Sequence, residues 1–439
     1  MRDVSMPQAG ARGYAWYVAA LLATGHLISF IDRFLMSLLM EPLKADLGVS
    51  DAQLGLLQGT GFVILYTLVA VPLGRMADTM NRRSLIIAGI LLWSLATGLC
   101  GLADNFGSLF LARIAVGFGE AALVPAAMSL LAAYFPRRQL GRAVSLFTTG
   151  ASLGKSAALI GGGAVLATVT AIGGMTLPGI GHLAPWQATF VIMAVPGFLL
   201  ALLMLTVREP ARVSATAGVS PSFGTAFQYV RQNGAAYATH TAAATIVVLL
   251  IQTIVAWMPS FYVRFFAMTS PQAGLTVGSI VLVAAPLGHL CGGMLTDNFQ
   301  SRRAASPAAP VIVTGLLGAI PSILVFATSR NLAVSVVAAA LLNFFLTLAS
   351  PATLAGIQML TPDRLRGVVT SMFLATATLI GIGCGPAMIG LLTDLLGGPN
   401  RLGQSLLIAV PILALSGAAL ALASRKPFER TTAASTATL

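Results

Sequence analysis

The amino-acid sequence predicts an all-α membrane protein: twelve transmembrane helices in two six-helix, pseudo-symmetric bundles. Three observations predict it. Of 439 residues, 57% are hydrophobic and only 9% charged, against about 25% charged in a soluble domain. Apolar runs long enough to cross about 30 Å of hydrocarbon as helices recur along the whole chain, whereas a barrel would show short alternating segments. A loop motif of the first half returns in the second.

The spans are read at 14–40, 52–77, 83–103, 108–135, 140–168, 186–207, 237–263, 273–296, 308–328, 332–361, 366–395 and 403–424. The first is too long for a signal peptide and carries Asp32 and Arg33, so it is read as a retained helix. Ser50 with Gln53 forms a capping-box pattern that opens the second. The fourth carries Arg113 and Glu120, and the fifth Lys155. Between the sixth and seventh lies the longest polar segment. It divides the chain into an N-terminal bundle (1–207), a linker (208–236) and a C-terminal bundle (237–439). The tenth span holds Asn343 and Thr347 at i, i+4. In the eleventh, "GIGCGPAMIG" (Gly381 to Gly390) reads as a packing or hinge stretch.

The net charge of +12 raises the possibility of a nucleic-acid partner, but its distribution argues against one. With the N-terminus placed in the cytoplasm, 18 of the 25 Lys and Arg fall on the inner side, four outside and three within the membrane. That bias sets both termini inside. Cys100, Cys291 and Cys384 lie in apolar spans without metal-ligand spacing. No nucleotide loop, hydrolase elbow or zinc spacing is present, so neither an enzyme nor a cofactor is expected.

The halves repeat. "GRMADTMNRR" (Gly74, Asp78, Arg82, Arg83) follows the second span, and "GMLTDNFQSRR" (Gly293, Asp297, Arg302, Arg303) follows the eighth. "PRRQLGRAVSLF" from Pro136 and "PDRLRGVVTSMF" from Pro362 are a second echo in register. Parallel repeats of six helices are a transporter architecture, with a site expected between the halves near the midplane.

These loops resemble the signature of the major facilitator superfamily, with Thr79 where a basic residue is usual and Asn81 where glycine is common. A narrower resemblance is to Spinster-type transporters. It rests on "IDRF" in the first span, "GLLQGTGF" opening the second and "RIAVGFGEA" (Arg113 to Ala121) in the fourth, and covers roughly the first 150 residues. It implies proton-coupled movement of lysophospholipids or related amphiphiles, with the charged positions Asp32, Arg33, Arg113 and Glu120 involved. Lys155 departs from it, standing where a small residue is expected.

The residues themselves carry a parallel argument. A charge at a helix centre costs at least about 2.5 kcal/mol on the insertion scale, so five such groups point to a functional cluster. At ~1.5 Å per residue, Arg113, Asp32 and Glu120 lie roughly 8, 13 and 18 Å deep. Arg113 and Glu120, two turns apart, share a helix face. A cation beside a carboxylate favours its ionised form, and losing that cation or drying the site favours the acid. Glu120, the deeper, is the first candidate for the proton and Asp32 the second. The alternative is a static salt-bridge lock. Arg33, Arg113 and Lys155 are read as counter-ions or as clamps for an anionic head group, with pairing to Glu120 as the plain alternative for Lys155.

Gln252, Trp257, His289, Asn343 and Thr347 are the candidate substrate-cavity residues of the second half, each with helix–helix adhesion as its bland alternative. Gly74, Asp78, Arg82, Arg83, Gly293, Asp297, Arg302 and Arg303 are read as a cytoplasmic gate. The glycines would permit close helix approach, and the aspartates would meet helix N-termini. The arginines have topology alone as their alternative.

The expected protein is a proton-coupled secondary transporter of an amphiphilic or lipid-like organic anion, working by alternating access. It is expected as a monomer in a bacterial inner membrane, with protons, a small-molecule substrate and membrane lipids as partners and no nucleic acid. The alternatives are a sugar-acid symporter, a drug exporter, or a receptor or scaffold that does not transport.

Overall fold

In the computed structural model, residues 9–210, 223–302 and 306–437 are described. Among these residues, twelve helical spans are long and apolar enough to cross a membrane, and each of the twelve sequence-read spans falls on one of them. Contacts divide the chain into two compact units.

The first unit comprises Met1–Pro42 and Ile64–Val213. Its first helix runs Ala9–Leu47, past Pro42, longer at both ends than the apolar run alone indicates. The third span, Arg82–Cys100, is capped by Asn81, whose side chain accepts from the Ser84 amide. The fourth is broken. One helix ends at Glu120, and the next, Leu123–Tyr134, begins after a turn at Ala121–Ala122. Glycines set the helix distances. A Cβ on Gly119 would lie 2.7 Å from the Trp93 amide nitrogen, and one on Gly154 would lie 2.5 Å from the Leu27 carbonyl and 2.6 Å from Phe30 Cβ. Only glycine admits those approaches. They bring the fourth span against the third at Glu120, and the fifth against the first at Lys155. A small antiparallel hairpin, Met175–Leu177 with Gly181–Leu183, joins spans five and six.

The second unit comprises Leu43–Val63 and Ser214–Leu439. The expected capping box is present: Ser50 Oγ accepts from the Gln53 amide at 3.2 Å, and Gln53 Oε1 accepts from the Ser50 amide at 2.8 Å. It opens a short helix, Asp51–Gly55, followed by a π-helical turn at Leu56–Thr60. Gly55 and Gly59 there face the backbone of Pro386–Ala387 and Ile382, with no room for a Cβ. Of the two readings of that stretch of span eleven, packing or hinge, these contacts show packing, against the start of span two.

The polar linker contains a helix of its own, Phe223–Gln232. It packs through Ala226, Tyr229 and Val230 onto a core that includes Tyr237, Ile357, Leu360 and Phe428. Length and apolarity could not reveal it, because it is short and only one face is buried.

Candidate functional site

The charge cluster lies in the first unit. Successive helix residues diverge by about 100° around the axis, so Asp32 and Arg33 face different partners. Arg33 Nη2 donates to Glu120 Oε2 at 2.7 Å, and Ser29 Oγ, one turn earlier, donates to the same oxygen at 2.7 Å. The guanidinium lies over the Phe30 ring at 4.5 Å and the Tyr66 ring at 5.2 Å. Glu120 is 1% exposed, so this pair is removed from water. A buried pair of this kind is held by its hydrogen bonds as much as by its Coulomb attraction.

Asp32 is equally buried, beside Thr97, Arg113 and Glu120. Yet neither of its carboxyl oxygens accepts a hydrogen bond of normal length and angle. Arg113, also buried, gives its Nη1 to the Asp32 main-chain carbonyl at 3.2 Å rather than to the carboxylate. Depth along the helices therefore located the group, while rotation about them decided the pairs.

Lys155 does not pair with Glu120. Among the described residues its ammonium has no carboxylate partner and lies over two rings of the first span, Phe30 at 5.8 Å and Phe34 at 5.2 Å. His26 joins the same region. Its ring stacks on Phe147 at 4.2 Å, and its Nδ1 meets the Phe147 carbonyl at 3.0 Å. Ser29, Phe30, Tyr66 and His26 were not singled out from sequence. Ser29 and Phe30 lie one helical turn before Arg33 on the same helix, and that spacing was the available signal.

In the second unit the five cavity candidates separate. Trp257 is wholly buried, and its indole N–H donates to the Pro386 carbonyl at 3.0 Å. It joins spans seven and eleven and does not face a cavity. Thr347 donates to its own helix at Asn343 O, 2.7 Å, and fills the space over Gly288, so it too is a packing residue. Asn343 is buried with its side-chain oxygen unbonded. Gln252 is half-buried. His289 is exposed, with Nδ1 on its own helix at Ala285 O.

The gate candidates also separate. Arg82 donates to Glu209 at 2.7 Å and to the Pro210 carbonyl at 3.0 Å; Arg83 donates to Val207 O at 3.0 Å. These two arginines clamp the chain as it leaves span six. Gly293 has open space where a Cβ would go, and Gly74 meets only Pro125 at 3.9 Å. Among the described residues, no neighbouring backbone comes within 4 Å of a Cβ built at either glycine. Asp297 and Arg302 are exposed. The side chain of Asp78, and Arg303, lie outside the described residues.

One charged group escaped the sequence reading. Asp51, fully buried in the second unit, accepts from Lys44 at 2.5 Å and from Arg264 at 2.6 Å. The Asp394 carboxylate caps the same helix start, taking the amides of Asp51 at 3.1 Å and Ala52 at 2.8 Å. Lys44 and Arg264 are two of the four cations counted outside the membrane, and the sequence did not pair them because Asp51 is distant in sequence from Arg264.

Comparison with known proteins agrees with this architecture. The sequence profile described as Major Facilitator Superfamily matches residues 22–373. An MFS-type efflux pump of Mycolicibacterium smegmatis is 29% identical over 426 residues, spanning 92% of this chain and 91% of that protein. Protein spinster homolog 1 of Rattus norvegicus is 26% identical, over 93% of this chain and 80% of its own. The crystal structure of a bacterial homologue of the human lysosomal transporter Spinster, inward-facing and unoccupied, superimposes with a TM-score of 0.81 at 24% identity. It covers 95% of this chain and 97% of that one. A profile match over most of the chain, with twelve spans, makes this an integral membrane transporter of the Major Facilitator Superfamily that resembles the Spinster-like proteins.

Proposed function

We propose that the chain is a proton-coupled secondary transporter of an amphiphilic organic anion, working by alternating access. One observation carries this reading: of the two buried carboxyls, Glu120 takes a charge-assisted bond from Arg33, and Asp32 takes no hydrogen bond of normal length and angle. Arg33 is bonded to Glu120, while the Asp32 carboxyl lies beside Thr97 and Arg113 without such a bond. A static lock would bond each carboxylate to a cation, because an uncompensated buried charge is costly. Asp32, rather than Glu120, is therefore the group that takes the proton in this arrangement. Glu120 can follow when Arg33 is drawn away.

The anion preference rests on charge. Arg33, Arg113 and Lys155 face two acids, so the cluster keeps a positive excess that grows on protonation. The efflux pump among the relatives favours a second reading, export, for which a drug is the alternative cargo named above. A cationic drug would meet that positive excess unfavourably.

The test is reconstitution in proteoliposomes with an imposed pH gradient and an anionic lysolipid as probe. Asp32→Asn should abolish gradient-driven accumulation while leaving exchange between equal pools. Gradient-driven transport that persists in both Asp32→Asn and Glu120→Gln overturns the proton coupling. A thermal-shift screen of anionic lysolipids, sugar acids and hydrophobic cations at two pH values tests the substrate class. Stabilisation by cations alone rejects it.

A further inference from the structure

We infer that one face of span five is a water-filled anion route, running from Arg142 near its basic end to a dead end at Lys155. The inference rests on the transport reading above and names the path and seat of the anionic group. Span five is one helix, Arg137–Ala171. Arg142, Ser145, Thr148, Thr149 and Ser152 are all exposed, and Lys155 is half-buried. At 100° per residue these six occupy one contiguous arc of the helix. From Arg142 to Lys155 the arc climbs about 20 Å.

That face is unlike the lipid-facing surfaces of the same unit. Span six exposes Val195, Phe198, Leu199, Leu202 and Leu203, as hydrocarbon requires. The opposite face of span five is closed, since Gly150 and Gly154 lie against the backbone of the first span at Ala23 and Leu27. Just beyond Lys155 the arc closes too: Ser156 is 2% exposed and Leu159 is fully buried. The stripe therefore ends at the ammonium.

The chemistry at that end suits an anion. Lys155 has no carboxylate partner among the described residues, and an unneutralised ammonium at mid-span is costly unless water or an anion reaches it. Ser152, nearly a turn earlier, makes no bond to the protein among the described residues, so its hydroxyl is available to a ligand. The hydroxyls of Ser145, Thr148 and Thr149 rest on their own helix carbonyls and can rotate to donate. Phe30 and Phe34 flank the ammonium, giving an apolar wall beside the charge. A carboxylate or phosphate monoester with an apolar tail matches that seat.

Cysteine accessibility in the full chain, reconstituted in nanodiscs, tests the route without requiring transport. Ser152→Cys, Thr148→Cys and the control Leu153→Cys are made with Cys291 and Cys384 replaced by serine. Each is treated with an anionic sulfonatoethyl and a cationic trimethylammonium-ethyl methanethiosulfonate, with rates scaled to a small free thiol. Ser152→Cys and Thr148→Cys should react about tenfold or more faster than Leu153→Cys, with a scaled preference for the anionic reagent that Lys155→Met removes. Lys155→Arg should keep it, so a fold lost in the Met variant does not end the test. Position-152 reactivity equal to that of Leu153→Cys, or an anionic preference indifferent to Lys155, overturns the inference. Failure of gradient-driven transport with this labelling pattern intact would count against proton coupling and leave the route standing.

Discussion

Arg33 illustrates how one side chain can organise a site. It forms an ion pair with Glu120 and faces two aromatic rings, Phe30 and Tyr66. A planar guanidinium can bond a carboxylate and face rings together, which an ammonium cannot reproduce. Arg33→Ala leaves Glu120 buried without its guanidinium partner, at an expected loss of about 3–5 kcal/mol. Arg33→Met combined with Glu120→Gln should recover most of it. Denaturation midpoints of the purified variants check this, and a double variant as unstable as the single one would show that the pair is not the source. The charges themselves were legible in sequence, because an Asp or Arg stands out in an apolar run. Their pairing was not, since depth along an axis says nothing of rotation around it. Lys155 shows the same limit: it lies near the middle of its span in sequence, and its ammonium lies over Phe30 and Phe34 rather than beside Glu120.

At the scale of elements, the twelve spanning helices were legible; the short Phe223–Gln232 helix and the breaks within helices were not. The turn after Glu120 and the π-helical turn at Leu56–Thr60 leave no gap in apolar character, so hydropathy passes over them. Glycine positions were visible, but which of them carry close contacts depends on a neighbour's backbone: Gly154 does, Gly293 does not. Gly154→Val should therefore push span five from span one and lower the thermal midpoint by several degrees, whereas Gly293→Val should shift it little. Equal shifts would mean that the two glycines serve the same purpose. The start of span two supplies a further case. Asp51 neutralises Lys44 and Arg264 inside the second unit. Asp51→Asn should destabilise by about 3–5 kcal/mol, because two cations then share no counter-charge. High salt should recover only part of the loss, since buried pairs are weakly screened.

Across the whole molecule, the strongest signal was the sorting of basic residues. Of 25 Lys and Arg, 18 fall at the span ends that share a side with the termini, and translocating such loops is disfavoured. The expected orientation therefore places the Phe223–Gln232 helix and the C-terminus in the cytoplasm, and the Met175–Leu183 hairpin outside. In a bacterial host, green fluorescent protein fused to the C-terminus should fluoresce, and alkaline phosphatase inserted at the Pro178–Ile180 turn should be active. Phosphatase joined after Arg231 should be inactive. Activity at Arg231 with none at the turn would reverse the topology. The reversal would reach further than orientation, because the Arg142 end of span five would then open to the outside. Anions would enter the proposed route from the opposite face, and the pH gradient that loads Asp32 would have to be imposed with the opposite sign.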